Sequence, residues 1–332
     1  MKFFLLFIFY FLVFSATAQY APQAGLPGSG AISATSSVFV GWAAGCTVYR
    51  GFMDIANPSL GYASAGDSSL GTGPANGYTV SLGDSGVAVL TFAHAIYNGT
   101  GPDFAVFENG FLDPSNDSGA FLELGFVEVS SDGINYTRFP ATSLTQDQLQ
   151  LNNDSYIYAN NLNNLAGSYI TMYGTPFDLQ ELAGTPGLDI NNVTHVRIVD
   201  VVGSISGHSS FDAAHRIIND PYPTAYPTCG FDLDAVGVIN QVADNGVKQL
   251  VDNISVSVFP NPTTDNVYVS VKGQLPEGLS GTFTSVTGVI LQQCSFLNSM
   301  NILSVEQYPA GMYFLILCDA NGDKWVEKIT KR

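Results

Sequence analysis

The hydrophobic period constrains this chain more than any other feature. Short alternating or continuous apolar runs, each closed by Gly, Asn, Asp or Pro, recur along it, and helical periodicity is nearly absent. The clearest are Gly86 to Phe92, Asp103 to Glu108, Phe121 to Ser130, His195 to Val202 and Phe231 to Ile239. A period of two buries one face of a strand, and strands of this length and spacing must pair and stack to hide that face. The expected fold is an all-β sandwich. Ser131-Asp132-Gly133 supplies a turn after one strand, and Ala320-Asn321-Gly322-Asp323 is a hairpin candidate between two late strands.

The polar segment Gln241 to Asn253 has no aromatic residue and separates two β-rich regions, which places a linker over 241–253. A first domain is expected over 19–240 and a second over 254–332. Residues 1–18 read as a signal peptide: Met1-Lys2, an apolar run from Phe3 to Phe14, then the small residues Ala16 and Ala18 before the expected cut. That run is about 12 residues long, whereas a hydrocarbon core requires about 20. The chain is expected to leave the cell.

Charge narrows the partners. The net charge is −17, from 11 basic and 28 acidic residues. Between Gln19 and Asn240 the basic residues are Arg50, Arg138, Arg197 and Arg216 alone. Such a surface repels nucleic acid and anionic membrane, and favours divalent cations or neutral ligands. With Cys46, Cys229, Cys294 and Cys318 in an oxidising compartment, the simplest pairing is one bridge per domain, Cys46 with Cys229 and Cys294 with Cys318. Buried free thiols are the alternative.

The second domain opens on Pro260-Asn261-Pro262-Thr263 and the alternating strand Asn266 to Val271. It continues through Tyr308-Pro309-Ala310-Gly311-Met312-Tyr313 and closes on a Lys328-Ile329 pair. Two prolines around one Asn cannot lie inside a central strand, so this segment is an edge or a turn. The ordered set resembles the C-terminal sorting domain of type IX secretion substrates, with Tyr308 where a Leu usually precedes the Pro. The resemblance implies an immunoglobulin-like sandwich with Pro260, Asn261, Pro262, Gly311, Tyr313 and Lys328 as its motif. It also implies recognition by an outer-membrane translocon, removal by a sortase-like peptidase, and cargo delivered to the outer-membrane surface or the extracellular space.

In the first domain, Asp232 and Asp234 lie two apart and share a strand face. Unpaired buried carboxylates require a cation, an Arg or backbone donors. Hard oxygen donors suit Ca²⁺, with Asp103, Glu108, Asn109, Asp232 and Asp234 as candidate ligands; pairing with Arg197 or loop capping is the alternative. The segments DFAVFENGF, FLELGFVEVSSDGINYTRFPA, VTHVRIVDVVGSI and GFDLDAVGVI resemble an uncharacterised group of bacterial cell-surface proteins. That resemblance implies a jelly-roll, galactose-binding-like sandwich of a style shared with carbohydrate-binding modules. Trp42, Tyr222 and Tyr226 are then candidates for stacking on a sugar or flat ligand, and His195 and Arg197 for its polar contacts.

Enzyme readings each lack a part. The histidines offer no HExxH or three-ligand spacing, and no Gly-x-Ser-x-Gly elbow exists. A chain this acidic always offers two carboxylates, so a glycosidase pair carries little information. The expectation is a non-catalytic, glycan-binding cargo domain. The alternatives are a secreted carbohydrate-active hydrolase using acids between Asp103 and Glu128, and a surface accessory of vitamin B12 uptake.

Overall fold

The computed structural model describes residues 20–242, 255–320 and 324–332. The signal peptide, most of the linker and the centre of the Ala320 to Asp323 hairpin candidate lie outside the described residues. Two compact units are present, residues 1–243 and 244–332. Among the described residues helix is confined to short 3₁₀ turns, at Pro58–Leu60, Ser68–Gly71, Ala159–Asn161 and Leu179–Leu182. None of the helices is long and apolar enough to cross a membrane.

The principal strands of the first unit are β1 (Gly45–Tyr49), β2 (Val87–Ile96), β3 (Phe104–Phe107), β4 (Phe111–Asp113), β5 (Asn116–Phe121), β6 (Gly125–Ser130), β7 (Tyr173–Phe177), β8 (Val193–Asp200), β9 (Asp232–Leu233) and β10 (Ala235–Val238). One antiparallel sheet runs Ile32–Ser33, β7, β3, β10, Gly41–Trp42, and the other runs Thr137–Arg138, β6, β8, β2, β1. Between them lies a common core, with Phe104, Val106, Val236 and Val238 from the first and Ala88, Leu90, Val127, Val129, Val196 and Ile198 from the second. Each such side chain contributes roughly 1.5–3 kcal/mol when fully buried. This is the expected all-β sandwich, and period-two patterning explains it. In β8, Val196 and Ile198 point inward while His195 and Arg197 face out.

The run Phe121 to Ser130 is not one strand. It breaks at Leu122-Glu123-Leu124, where the chain leaves the small sheet of β4, β5 and Ile157–Tyr158 to enter β6. Leu122 and Leu124 bury in a separate apolar cluster with Leu165 and Ile218, and Val127 and Val129 bury in the main core. Gly125 permits the passage: a Cβ there would come within 2.9 Å of both Ile198 and Phe231. Gln241 and Val242 pair along Ala95–Ile96, so the first two residues of the polar segment still belong to the sandwich edge.

The second unit is a smaller sandwich. Its strands are β11 (Ser255–Phe259), β12 (Asn266–Lys272), β13 (Ser280–Ser285), β14 (Ile290–Ser295), β15 (Met300–Ser304), β16 (Gly311–Cys318) and β17 (Lys324–Lys331). One sheet is ordered β11-β12-β15 and the other β14-β13-β16-β17. Alternation is clean: Val267, Val269 and Val271 face Tyr313, Leu315 and Leu317 in the core.

The four cysteines are free thiols, which corrects the expected one bridge per domain. In the second unit the reason is topological. Cys294 of β14 and Cys318 of β16 lie on opposite sides of β13, registered against Gly281 and Ser280. Two strand spacings of about 4.8 Å separate them, beyond the roughly 7 Å limit for Cα atoms in a disulfide.

Candidate functional site

A cleft of about 390 Å³ opens on the first unit, lined by Asn109, Phe111, Phe121, Glu123, Asn153, Thr224, Tyr226, Thr228 and Asp232. Its wall of aromatic residues comes from the β4–β5 pair, where Phe111 and Phe121 are registered partners and stack at 5.1 Å with an interplanar angle of 11°. Phe111 is 53% exposed and Tyr226 is 60% exposed. Tyr226 rides on the loop after Pro221.

The polar wall is built from three separate places in the sequence. Asn109 sits in the connection between β3 and β4, Glu123 at the crossing between β5 and β6, and Asp232 at the start of β9, which pairs with Val80–Ser81. Asn109 Nδ2 donates to Asp232 Oδ2 at 2.9 Å. The other oxygen, Oδ1, is buried without a hydrogen-bond partner, as is the Ser81 hydroxyl facing it across the strand pair. Ser81 lies close enough to lower the Asp232 carboxyl's pKa but closes no hydrogen bond of ordinary geometry. Among the described residues no donor reaches the Glu123 carboxylate.

Burial dominates the electrostatics. It pushes Asp232 up to about 6, against the pull of Ser81, Asn109 and Arg50. Glu123 is raised well above the ordinary carboxyl range by burial, then by Asp232, Glu108, Asp220 and Asp200. Behind the cleft Glu108 is raised by burial and by Asp232, despite backbone donors from Gly110 and Asn109. Asp200 and Asp220 are raised chiefly by burial as well. Each carboxyl lowers the charge its neighbours can hold.

The five residues expected to ligate Ca²⁺ do not form one donor set. Asp103 and Glu108 stand at opposite ends of β3, about 16 Å apart at 3.3 Å per residue. Asp103 accepts from Gly99 N, Leu179 N and Asn240 Nδ2 at 2.7, 2.8 and 2.8 Å, so it ties three loops together. Asp234 accepts from Asn76 N and Gly77 N, and Glu108 from Gly110 N. Asn109 and Asp232 alone among the five line the cleft. Among the described residues no group of three or more His, Cys, Asp or Glu is arranged to hold a metal ion.

The expected ligand-binding residues are dispersed in the same way. Tyr226 lines the cleft. Trp42 packs on Phe39 and Phe107 at 4.9 and 5.5 Å in a satellite cluster on the sandwich. The Tyr222 hydroxyl donates to Asp54 Oδ1 at 2.7 Å. His195 and Arg197 belong to a cross-strand row on β8 and β6: Arg197 pairs with Glu128 and covers the Tyr136 ring at 3.8 Å, and Arg138 takes the other Glu128 oxygen. His195 Nδ1 lies 2.8 Å from Thr194 Oγ1. Phe111, Phe121, Asn153, Thr224 and Thr228 are cleft residues that the sequence does not single out, and Glu123 enters there only within the span of acids from Asp103 to Glu128. The interruption of alternation at Leu122-Glu123-Leu124 was the available signal.

In the second unit the motif residues are joined through the last strand. Asn261 Nδ2 donates to the Lys328 carbonyl at 2.6 Å, and Thr330 N donates to Asn261 Oδ1 at 2.9 Å. Thr263 continues the pairing with Thr330 O and Arg332 N. The Asn side chain thus serves as a peptide group where Pro260 and Pro262 have no N–H to give. Tyr313 is buried against Phe283 and donates to Pro309 O at 2.8 Å. Lys328 is exposed, and Gly311 begins β16.

No curated protein matches the chain. Solved structures that match include β-glucuronidase from Ruminococcus gnavus in complex with D-glucaro-d-lactam, at 14% identity and TM-score 0.20, covering 75% of this chain and 37% of that one. A second structure of the Ruminococcus gnavus enzyme matches at 12% identity and TM-score 0.20, covering 68% of this chain and 46% of that one. The chain spans less than half the length of these solved chains, and superposition this loose carries no inference about activity. The family model described as the secretion system C-terminal sorting domain matches residues 257–332. That stretch is the seven-stranded unit in which Asn261 and Thr263 close on β17. Residues 257–332 are a C-terminal sorting domain of the type IX secretion system, carried behind an all-β sandwich, and they mark the chain for export to the cell surface or extracellular space.

Proposed function

We propose that the exported sandwich is a glycan-binding module and that the cleft between Phe111, Tyr226, Glu123 and Asp232 is its binding site. The observation that supports this is the pairing of the exposed rings of Phe111 and Tyr226 with the Glu123 carboxylate, which no hydrogen-bond donor among the described residues reaches. A sugar ring offers both complements, an apolar C–H face for the aromatic side and hydroxyl donors for the acceptors. Delivery depends on the sorting domain meeting the type IX translocon, with a sortase-like peptidase separating the two units along the segment between them. A Ca²⁺ ion, were one bound, would have Glu123 and Asp232 as its remaining carboxyl donors.

A second reading has one observation in its favour. Glu123 and Asp232 share the cleft and are both raised, the condition under which one carboxyl stays protonated beside an ionised partner, as hydrolysis of a glycosidic bond requires. A glycan array with the mature chain, run with and without Ca²⁺ and beside a polysaccharide hydrolysis screen, separates the readings. Binding without turnover supports the module, and turnover lost in Glu123→Gln supports the hydrolase. Cobalamin belongs in the same panel, and its binding in place of glycans favours the uptake accessory.

A further inference from the structure

We infer that the cleft selects a protonated amine, so that its ligand is an amino sugar in preference to a neutral one. This rests on the reading of the cleft as a glycan site and specifies the chemistry of that glycan. The charged groups lining the cleft are the Glu123 and Asp232 carboxyls; among the described residues no Lys, Arg or His lines it. Asn109 has given an amide proton to Asp232, which leaves its own Oδ1 as an acceptor. Asp232 is 5% exposed and Glu123 is 6% exposed; Asp232 has Asn109 and the Ser81 hydroxyl beside it, while among the described residues no donor reaches the Glu123 carboxylate. The groups that, after burial, raise Glu123 along with Asp232 are Glu108, Asp220 and Asp200, all acids. Arg50 is the one cation acting on Asp232, and it donates to the carbonyls of Ala65, Ser81 and Gly66 instead of to a carboxylate.

A site of this kind takes a cation with several donors. Three features favour an ammonium over a metal ion. Glu108 is committed to the Gly110 amide, and Asp103 and Asp234 are committed elsewhere. Among the described residues no metal-holding group of three is present. Phe111, Phe121 and Tyr226 line the cleft, with Phe111 and Tyr226 exposed, and aromatic rings attract an ammonium through the ring quadrupole and stack on the apolar face of a pyranose. A hard metal ion gains nothing from that wall.

Seating an ammonium beside Glu123, which burial raises well above the ordinary carboxyl range, and Asp232, raised to about 6, displaces the protons these carboxyls still hold. Binding is therefore accompanied by proton release, and affinity rises with pH until the amine itself loses its charge.

The test is isothermal titration calorimetry on the mature chain, residues 19–332, at about pH 6.5, in two buffers of different ionisation enthalpy. The titrants are a glucosamine tetrasaccharide, its N-acetylated counterpart, cellotetraose and CaCl₂. The expected result is at least tenfold tighter binding of the amine form than of either neutral sugar, with a buffer-dependent enthalpy that reports proton release. Glu123→Gln, isosteric and checked by its melting curve, brings the amine to the affinity of the neutral sugars. Phe111→Ala, at an exposed position, weakens all three sugars. Equal binding of the three sugars, or preference for a neutral one, overturns the amine assignment and leaves the glycan site standing. Binding of none of the sugars overturns both. Binding of Ca²⁺ that is lost in Glu123→Gln makes the cleft a metal site and overturns the amine assignment alone.

Discussion

Asn109 and Asp232, 123 residues apart, are joined by a 2.9 Å hydrogen bond from Nδ2 to Oδ2 that fixes the loop after β3 against the start of β9. The bond helps to hold Asp232 in place at the floor of the cleft, beside the Ser81 hydroxyl across the strand pair. In Asn109→Ala the carboxyl loses that donor while staying buried, so its pKa moves above about 6. A lost partner to a buried polar group costs about 1–3 kcal/mol, and sugar affinity falls with it. Thermal unfolding and carboxyl NMR titration of the variant check both effects.

Stability should fall as pH rises. Asp232 and Asp84 are each pushed up to about 6 by burial, and Glu108, Glu123, Asp200 and Asp220 are raised further. A carboxyl whose folded pKa exceeds its unfolded value of about 4 binds more protons when folded. Its contribution is complete below the unfolded value and is lost as pH rises through the folded one. The unfolding free energy therefore declines between about pH 4 and pH 7, and Asp232→Asn reduces the slope. Asp132, held low by the amides of Asn135 and Ile134, acts in the opposite sense, and only as pH falls below the ordinary Asp range. Denaturant melts at one-unit pH intervals measure the slope; stability that rises over this window would contradict the buried-acid account.

Glu128 is expected to serve the sheet and not a ligand. Its side chain is 7% exposed and bridges Arg138 and Arg197, which are 43% and 32% exposed. Breaking a fully buried pair costs about 3–5 kcal/mol; with both arginines partly solvated, Glu128→Ala should cost about 1–3 kcal/mol. Arg197→Ala and His195→Ala should leave glycan affinity unchanged, as measured by calorimetry. A tenfold loss in either would move the binding site to the β6–β8 face.

These residues show what the sequence makes legible. Alternation in β2, β8 and β12 specifies strand faces, because solvent on one side and core on the other impose a period of two. Tyr313, Asn261 and Lys328 stand out through the resemblance of their motif to the sorting domain, and the structure gives Tyr313 a place in the core and Asn261 two bonds to β17. The cleft is less visible. Its polar wall joins positions 109, 123 and 232, whose meeting depends on loop closure, and no local period encodes that. Asp103 and Asp234 look like ligands by residue type but cap loops, since a carboxylate serves a backbone N–H as readily as a metal. The cysteine pairing fails for a similar reason, because composition does not reveal that β13 lies between Cys294 and Cys318.

The thiols give a separate check. Burial pushes Cys46 up to about 11 and Cys229 up to about 12, so neither is an effective nucleophile at neutral pH. Alkylation without reductant should modify all four cysteines once the chain is unfolded, and Cys46 and Cys229 only slowly before. A mass showing two unmodified residues after unfolding would establish a disulfide.

In the sorting unit, Asn261→Ala removes both bonds to β17. Hydrogen exchange at the Thr330 amide should accelerate at least tenfold, because its acceptor Asn261 Oδ1 is gone. Asn261→Asp keeps that acceptor but not the donor to Lys328 O, and should exchange at an intermediate rate. Unchanged exchange in Asn261→Ala would mean that the side chain does not close the strand.

The central claim is that the cleft holds the ligand, and the side-chain amide of Asn109 reports on it directly. In a ¹H–¹⁵N spectrum of the mature chain titrated with the tightest oligosaccharide from the panel, the Asn109 Nδ2 resonances should shift together with the backbone of Phe111, Glu123 and Tyr226. The resonances of His195 and Arg197 should stay in place. Shifts confined to the β6–β8 face, with Asn109 unmoved at saturation, would contradict the account.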